Sequence, residues 1–225
     1  MTERIVVAIP ALNAEATIGG IVRACLQHLP DVIVIDDGSS DGTGVEAREA
    51  GADVIRHPRN RGKGAALKTA FQLALDRGFD AVVTLDADGQ HLADEIPKFV
   101  ALWKETGAHL IIGSRRHLFD QMVRRRRGAN LFSAWTISIA SGTRISDSQS
   151  GYRLYSSDLL RKTHILANGF DAESEVIVRA GRDGSAIISM PIGLGFVDGV
   201  QTSHYRPLSD TLRIAWRVMR TRLRR

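Results

Sequence analysis

Cysteine is nearly absent from this chain of 225 residues, which has only Cys25. A single cysteine excludes an internal disulfide framework and a cysteine-rich zinc or iron–sulfur site, and a reducing compartment is then the default. No uninterrupted apolar run approaches the roughly 18 residues that cross a bilayer, and the first four residues do not begin a signal peptide of the usual form. We therefore expect a cytoplasmic protein that is soluble or peripheral on the cytoplasmic face of the membrane.

Aromatic residues are also scarce, at 6%, and no nucleic-acid-binding motif accompanies them, so we expect no nucleic-acid partner. The formal net charge of +5 is concentrated in two places. Residues 206–225 contain seven arginines and one aspartate, and Arg115–Arg127 contains six arginines and one aspartate. Two basic patches on a nearly neutral body predict a specific anionic partner.

Short β-branched strands alternate with helical stripes through the first 113 residues. The predicted strands are Ile5–Ile9, Val32–Ile35, Val54–His57, Ala81–Leu85 and Leu110–Ile112. This alternation predicts an α/β fold with a mostly parallel, doubly wound sheet in a single domain. Ligands of such sheets bind beyond the carboxyl ends of the strands, where the loops after these segments lie.

Two later segments have amphipathic patterns. Leu131–Ile139 and Leu208–Leu223 place tryptophan and apolar residues on one stripe and have arginine beside it, which is typical of helices in a membrane interface. For the second segment, a core-packing helix with a solvated basic face is equally open. We therefore predict a main domain over residues 1–205 and a basic amphipathic helix over 206–225 that is suited to a membrane surface.

An acidic pair, Asp86 and Asp88, directly follows the fourth predicted strand. In extended backbone the two carboxylates point the same way, which is costly unless a cation lies between them. With Gln90 they form a partial all-oxygen coordination sphere that Mg²⁺ or Mn²⁺ accepts. A polar β-turn is the plain alternative.

Two further loops suit a nucleotide. Asp36 and Asp37 end the second strand, where an acidic side chain can accept from a ribose hydroxyl or a base N–H; an Asx-turn is the alternative. Gly62-Lys63-Gly64 opens a helix, so its backbone N–H groups and Lys63 are placed to meet a phosphate. An ordinary helix start explains the same pattern.

The ordered set of motifs resembles family 2 glycosyltransferases, most closely the polyprenyl-phosphate branch with its dolichol-phosphate mannosyltransferase-like enzymes. The resemblance covers about residues 4–191 of the chain. The motifs are Pro10-Ala11-Leu12-Asn13, Asp36-Asp37-Gly38-Ser39, Asn60-Arg61-Gly62-Lys63-Gly64, Asp86-Ala87-Asp88-Gly89-Gln90-His91, Gly113-Ser114-Arg115 and Asp147–Arg153.

This resemblance implies a GT-A fold, a GDP- or UDP-linked sugar donor, a divalent cation (Mg²⁺ or Mn²⁺) and a lipid phosphate acceptor. The residues that it implies for the donor nucleotide are Pro10, Asn13, Glu15, Asp36, Asp37, Lys63 and Asp86. It implies Asp86, Asp88 and Gln90 for the metal, and Asp88 and Arg115 for catalysis. For the acceptor phosphate it implies Arg115, with His204 or Arg206 in place of the lysine of the branch's C-terminal Gly-x-Ser-Lys; Arg127, from the arginine cluster, is a further candidate. Glu173 and Glu175 are further candidates for sugar or base contacts, with a solvated helix start as the alternative.

The predicted class of acceptor follows from the lack of a candidate general base and the large number of arginines. An alcohol acceptor needs a general base, and the carboxylates offer no compelling candidate. A phosphate is already anionic and needs neutralisation by arginine, which the Arg115–Arg127 cluster supplies. We therefore expect metal-dependent, inverting transfer of a sugar to a polyprenyl phosphate at a membrane surface.

Two alternatives remain open, and the sequence disfavours a third. The acceptor could lack a phosphate, as in a glycolipid, pigment or polysaccharide precursor. The chain could be a nucleotide-sugar-binding module without turnover, because Leu12 and Ala14 depart from the family's usual Pro-x-Tyr-Asn-Glu. A sugar nucleotidyltransferase would need a glycine-rich pyrophosphate loop, which this sequence lacks.

Overall fold

The structure is a computed structural model that describes residues 3–121, 124–193 and 195, without the side chains of residues 120, 121 and 124–126. The predicted helix over 206–225, together with His204 and Arg206, lies outside the described residues. The division into residues 1–205 and 206–225 therefore stays a prediction.

Seven strands form one sheet in the order β3-β2-β1-β4-β6-β5-β7. They are β1 (Ile5–Ala11), β2 (Val32–Asp36), β3 (Asp53–Arg56), β4 (Ala81–Thr84), β5 (Leu110–Ser114), β6 (Arg153–Ser156) and β7 (Ile187–Pro191). Only β6 runs antiparallel to its neighbours among these seven. The predicted mostly parallel α/β sheet is confirmed.

Helices cover both faces of the sheet. They are α1 (Glu15–Leu26), α2 (Thr43–Glu49), α3 (Lys63–Asp76), α4 (Ile96–Thr106), α5 (Arg124–Ser141), α6 (Ser157–Lys162) and α7 (Asp171–Arg182). Successive side chains of β1 alternate between the faces, as a fully buried strand requires. Val7 packs in the same core cluster as Val22 of α1 and Phe99 of α4, whereas Val6 packs with Ala70 of α3 and Ile177 of α7.

Strand β6 brings a late part of the chain back to the end of β4. Its first residue, Arg153, pairs with Thr84, the last residue of β4. Because β6 is antiparallel, the loop before it lies at the carboxyl edge of the parallel strands. The Asp147–Arg153 motif is almost entirely this loop, because β6 begins only at its last residue, Arg153.

Helix α5 is longer than the predicted Leu131–Ile139. It begins at Arg124, so the run of four arginines forms its first turn, after a 3₁₀ turn over Arg116–Gln121. Ile137 on its inner face is fully buried, whereas Phe132, Trp135 and Ile139 are exposed by 51%, 61% and 50%. Within the described part of the chain, no helix is both long and apolar enough to cross a membrane.

Candidate active site

Lys63 joins two acidic residues from distant parts of the chain. It is the first residue of α3, and its Nζ lies 2.5 Å from Oδ1 of Asp86 and 2.9 Å from Oε2 of Glu173. Gly62, with φ of +94°, turns the backbone into α3, and a Cβ there would lie 2.4 Å from the carbonyl oxygen of Asn168. Glycine is therefore needed to start the helix at the place where Lys63 reaches both carboxylates.

The Lys63–Asp86 contact is an ion pair. Burial alone would raise the pKa of Asp86, but the charge of Lys63 and further cations outweigh burial and lower that pKa to about 2. Burial lowers the pKa of Lys63, and the charges of Asp86 and Glu173 more than reverse the effect, so its pKa is raised. Both groups are charged at neutral pH.

Asp88 adds a second carboxylate to the same cluster. Burial and the neighbouring charge of Asp86 together raise the pKa of Asp88, because two like charges that converge resist ionisation. One Asp88 oxygen accepts from the backbone N–H of Gln90 at 3.0 Å. Two neighbouring carboxylates are the kind of ligand that a hard divalent cation prefers, and such a cation would relieve the repulsion between them.

The protein supplies only part of such a coordination sphere. Across residues 3–121, 124–193 and 195, no group of three or more histidine, cysteine, aspartate or glutamate side chains is arranged to hold a metal ion. Asp86, Asp88 and Gln90 stay the predicted metal ligands, and the remaining ligands would come from the bound substrate and water.

Gly151 fixes the position of the Asp86 carboxylate from the other side. A Cβ on Gly151 would lie 2.4 Å from Oδ2 and 2.6 Å from Oδ1 of Asp86. The backbone N–H of Asp86 also donates to Nδ1 of His91 at 3.2 Å. The loop before β6 therefore packs closely against the Asp86 carboxylate.

Arg153 holds that loop in place. Its fully buried guanidinium donates to the carbonyl oxygens of Ser148, Ser150 and Glu173 at 2.8, 2.8 and 2.9 Å. It therefore ties the loop that carries Gly151 to the helix that carries Glu173. The sequence analysis included Arg153 only as the last residue of the Asp147–Arg153 motif and gave it no role, since a buried arginine at the start of a strand has no periodic signature.

Arg115 follows β5 and is anchored by a second ion pair. Its Nε and Nη2 donate to the Asp147 carboxylate at 2.8 and 3.2 Å, and its backbone N–H donates to the same group at 3.1 Å. Burial would raise the pKa of Asp147, but the charge of Arg115 outweighs it and lowers the pKa. The charges of Asp86 and Asp88 also act on Arg115, so this predicted acceptor residue stands close to the acidic pair.

Asp37 organises the turn that leads into α3. Its carboxylate is buried and binds Nδ1 of His57 at 2.6 Å and the backbone N–H groups of Arg61 and Gly62 at 3.0 and 2.7 Å. The other ring nitrogen of His57 lies 3.0 Å from Oγ1 of Thr69 on α3. These contacts favour a role for Asp37 in holding the Lys63 turn, and its predicted contact with the nucleoside stays a prediction.

Asn13 and Glu15, also predicted at the donor nucleotide, connect two loops at the carboxyl edge. Asn13 has φ of +51°, and its Oδ1 accepts from the backbone N–H of Ser40 at 2.9 Å. Glu15 accepts from the backbone N–H of Gly42 at 3.0 Å. Pro10 lies at the end of β1 beside the same loops, so these three residues border one region.

Asp36 and Arg127 are two further predicted site residues. Asp36 is 1% exposed, accepts from the backbone N–H of Ser39 at 2.8 Å and packs against Gly44 of α2. Arg127 lies on the first turns of α5 and is exposed. Their predicted contacts with donor and acceptor stay predictions.

Glu173 and Glu175 are buried, so the solvated helix start considered for them is wrong. Glu175 accepts from the backbone N–H groups of Leu166 and Ala167 and pairs with Arg179, which makes it a structural residue. Glu173 instead faces Lys63. Its pairing joins residues 110 positions apart in the sequence, and helical periodicity carries no signal for such a contact.

A parallel sheet with paired carboxylates, a lysine and an arginine at its carboxyl edge defines an α/β protein built to bind an anionic ligand there. Comparison with known proteins identifies the family. Residues 6–163 match the model of glycosyl transferase family 2, and the chain belongs to that family. It is a nucleotide-sugar glycosyltransferase.

Two relatives are similar to this chain in sequence, and one solved protein is similar to it in structure. The undecaprenyl-phosphate mannosyltransferase of Micrococcus luteus is 31% identical over 203 residues, covering 84% of this chain and 82% of the relative. The UDP-N-acetylglucosamine–dolichyl-phosphate N-acetylglucosaminyltransferase of Methanococcus voltae is 30% identical over 207 residues, covering 82% of each chain. Glucosyl-3-phosphoglycerate synthase from Mycobacterium tuberculosis, in complex with Mn²⁺, UDP and glucosyl-3-phosphoglycerate, superposes with a TM-score of 0.69 at 26% identity, covering 98% of this chain and 79% of the other. The expected GT-A fold in a single domain and the resemblance to the polyprenyl-phosphate branch are confirmed.

Proposed function

We propose that this enzyme transfers a sugar from a GDP- or UDP-linked donor to a lipid phosphate of the polyprenyl type, with inversion at the anomeric carbon. The observation that carries the proposal is the grouping of Lys63, Asp86, Asp88 and Arg115 at one edge of the sheet. The relatives from Micrococcus luteus and Methanococcus voltae, whose names include polyprenyl and dolichyl phosphates, support the acceptor.

The donor's diphosphate would lie against Asp86 and Asp88. These two residues, with Gln90, would hold Mg²⁺ or Mn²⁺, which when bound stabilises the negative charge of the leaving diphosphate. Lys63 adds a fixed positive charge next to the same place. The turn held by Asp37 keeps Lys63 there, and the loops joined by Asn13 and Glu15 border the expected nucleoside site.

The acceptor phosphate would approach Arg115. Asp147 binds two nitrogens of the guanidinium and thereby fixes its plane, so the arginine is oriented before the acceptor arrives. A phosphate oxygen needs no general base, because it is already ionised at neutral pH. The phosphate would attack the sugar from the face opposite the diphosphate, which inverts the anomeric centre. Arg127, His204 and Arg206 are proposed as further contacts for the acceptor phosphate.

Helix α5 supports a lipid as the carrier of that phosphate. Phe132, Trp135 and Ile139 lie on its outer side and are at least half exposed, while its first turn contains the arginine run. An exposed aromatic and aliphatic stripe next to basic residues is typical of a helix in the membrane interface. We propose that this side of the enzyme lies on the cytoplasmic surface of the membrane.

A transfer assay tests the proposal. The protein is incubated with a panel of labelled GDP- and UDP-sugars, Mn²⁺ and polyprenyl phosphate in vesicles, and label is counted in the organic phase. A matched sample contains the same lipid after phosphatase treatment. We expect label only with the intact phosphate; equal labelling of the dephosphorylated lipid would refute the proposed acceptor.

A soluble phosphorylated acceptor is the second candidate. The complex of the Mycobacterium tuberculosis synthase with glucosyl-3-phosphoglycerate favours it. Both candidates present a phosphate to Arg115, and they differ in whether the carrier is a lipid. Adding 3-phosphoglycerate without vesicles separates them, since labelled water-soluble product would indicate the soluble acceptor.

A further inference from the structure

Lys63 contacts Asp86, the same carboxylate that is predicted to bind a divalent cation. The ammonium contacts one oxygen of Asp86 and one of Glu173, and the lysine side chain is only 15% exposed. Gly151 limits movement of Asp86 towards the loop before β6, because even a Cβ at Gly151 would lie within 2.6 Å of both carboxylate oxygens. A metal ion that binds Asp86 must therefore either share this carboxylate with the ammonium or displace it.

The charges around this position are almost balanced without a metal. By formal charge, the groups here are four carboxylates, those of Asp86, Asp88, Asp147 and Glu173, and three cations, those of Lys63, Arg115 and Arg153. One net negative charge remains, which gives a bare divalent cation little attraction beyond its direct ligands.

Glu173 has unused capacity to accept Lys63. Its side chain is 7% exposed, and among the described residues its buried Oε1 has no hydrogen-bond partner. Nε of Arg153 lies 3.9 Å from Oε1, which is too far for a hydrogen bond. A buried carboxylate oxygen without a partner is costly, and a lysine released from Asp86 would satisfy it.

We propose that Lys63 is a built-in cation that couples metal binding to donor binding. It pairs with Asp86 when no divalent cation is bound, and it moves to Glu173 and the donor's diphosphate when a divalent cation binds Asp86. The inference rests on the function proposed above for this edge of the sheet. Its consequence is that Mn²⁺ alone binds weakly, whereas Mn²⁺ and a nucleoside diphosphate strengthen one another's binding reciprocally.

The experiment measures Mn²⁺ binding to the full-length protein by the electron paramagnetic resonance signal of free Mn²⁺, without nucleotide and with saturating UDP or GDP. The test variants are Lys63→Met, Lys63→Gln and Glu173→Gln. Lys68→Met is the matched control, because Lys68 lies on the same helix and bonds Asn168 instead of the carboxylates. Circular dichroism confirms that each variant is folded.

We expect the two kinds of variant to shift Mn²⁺ affinity in opposite directions. Lys63→Met and Lys63→Gln remove a positive charge and should tighten binding of Mn²⁺ alone by at least about tenfold. This is a modest effect for the repulsion between an ammonium and a metal cation about 4 Å apart at an effective dielectric constant of about 20. Glu173→Gln removes a negative charge and the carboxylate that would accept Lys63, and it should weaken binding of Mn²⁺ alone several-fold. The strengthening by UDP or GDP should shrink in all three, and Lys68→Met should match the wild type.

Two failures are distinguishable. If the wild type binds Mn²⁺ with UDP or GDP but the Lys63 variants bind bare Mn²⁺ no more tightly, the coupling role of Lys63 is wrong and the proposed function stands. If the wild type binds no Mn²⁺ under any condition, the proposed metal site and the coupling are both wrong. General damage to the site would weaken binding in every variant, which also contradicts the inference.

Discussion

Replacing Gly151 with alanine should displace Asp86 and leave the fold intact. The new Cβ would lie 2.4 Å from Oδ2 and 2.6 Å from Oδ1 of Asp86, far inside the ordinary contact distance of 3.4–4 Å. Gly151 does not have a positive φ, so alanine fits the backbone there. The strain falls on the carboxylate that Lys63 holds at 2.5 Å.

The size of the effect follows from these distances. Relief of the contact requires a movement of about 1 Å, and a misplacement of about 1 Å at a reacting site costs on the order of 100-fold in rate. This corresponds to about 2.7 kcal/mol in activation free energy. We therefore expect the transfer rate of Gly151→Ala to fall by about 100-fold.

The assay follows nucleoside diphosphate release in the presence of vesicles that contain polyprenyl phosphate, together with thermal unfolding of each protein. Gly20→Ala is the control, because Gly20 lies on α1 with nothing within 4 Å of a new Cβ. It should keep the wild-type rate. A folded Gly151→Ala variant with the same rate as Gly20→Ala would refute the reasoning that Asp86 must be held in place.

Three further predictions follow from other contacts. Asp88→Asn should abolish transfer with little change in melting temperature, as measured by the same assay; full residual turnover would contradict its role. Asp147→Asn should lower the free energy of unfolding by about 3 kcal/mol at neutral pH, because it breaks a buried pair with Arg115. The pKa of Asp147 is lowered in the folded protein. Its contribution to stability is therefore present above the unfolded pKa of about 3.9 and disappears as the pH falls through the folded value. In urea unfolding, the difference in unfolding free energy between the wild type and Asp147→Asn should be smaller at pH 3 than at pH 7. The double substitution Phe132→Ser and Trp135→Ser should reduce sedimentation with anionic vesicles and leave stability nearly unchanged, because both side chains are more than half exposed. Unchanged sedimentation would argue against α5 as the membrane-facing side.

The parallel half of the fold could be predicted from the sequence because its signals are local. Each of the first five strands is a short apolar run followed by turn-forming residues, and each intervening helix has its own apolar stripe. The acidic pair at Asp86 and Asp88 was visible for the same reason, since it directly follows a strand. Local patterns therefore located the edge of the sheet that carries the site.

Strand β6 and the charge pairs could not be predicted in this way. Arg153–Ser156 is four residues long and begins with a fully buried arginine, so neither length nor hydrophobicity marks it as a central strand. Glu173 looks like an ordinary acidic residue in the first turn of a helix, and only tertiary packing places it on Lys63. The arginine run looked like a separate charge cluster, although it forms the first turn of α5.

The most direct test of the account is the crystal structure of the enzyme with its nucleotide-sugar donor and Mn²⁺, with anomalous diffraction used to locate the metal. The account predicts a manganese peak bound by Asp86 and Asp88, with the donor's diphosphate on the same ion and the nucleoside near the loops of Asn13 and Glu15. A donor bound with its diphosphate elsewhere, and no manganese at the two aspartates, would contradict it.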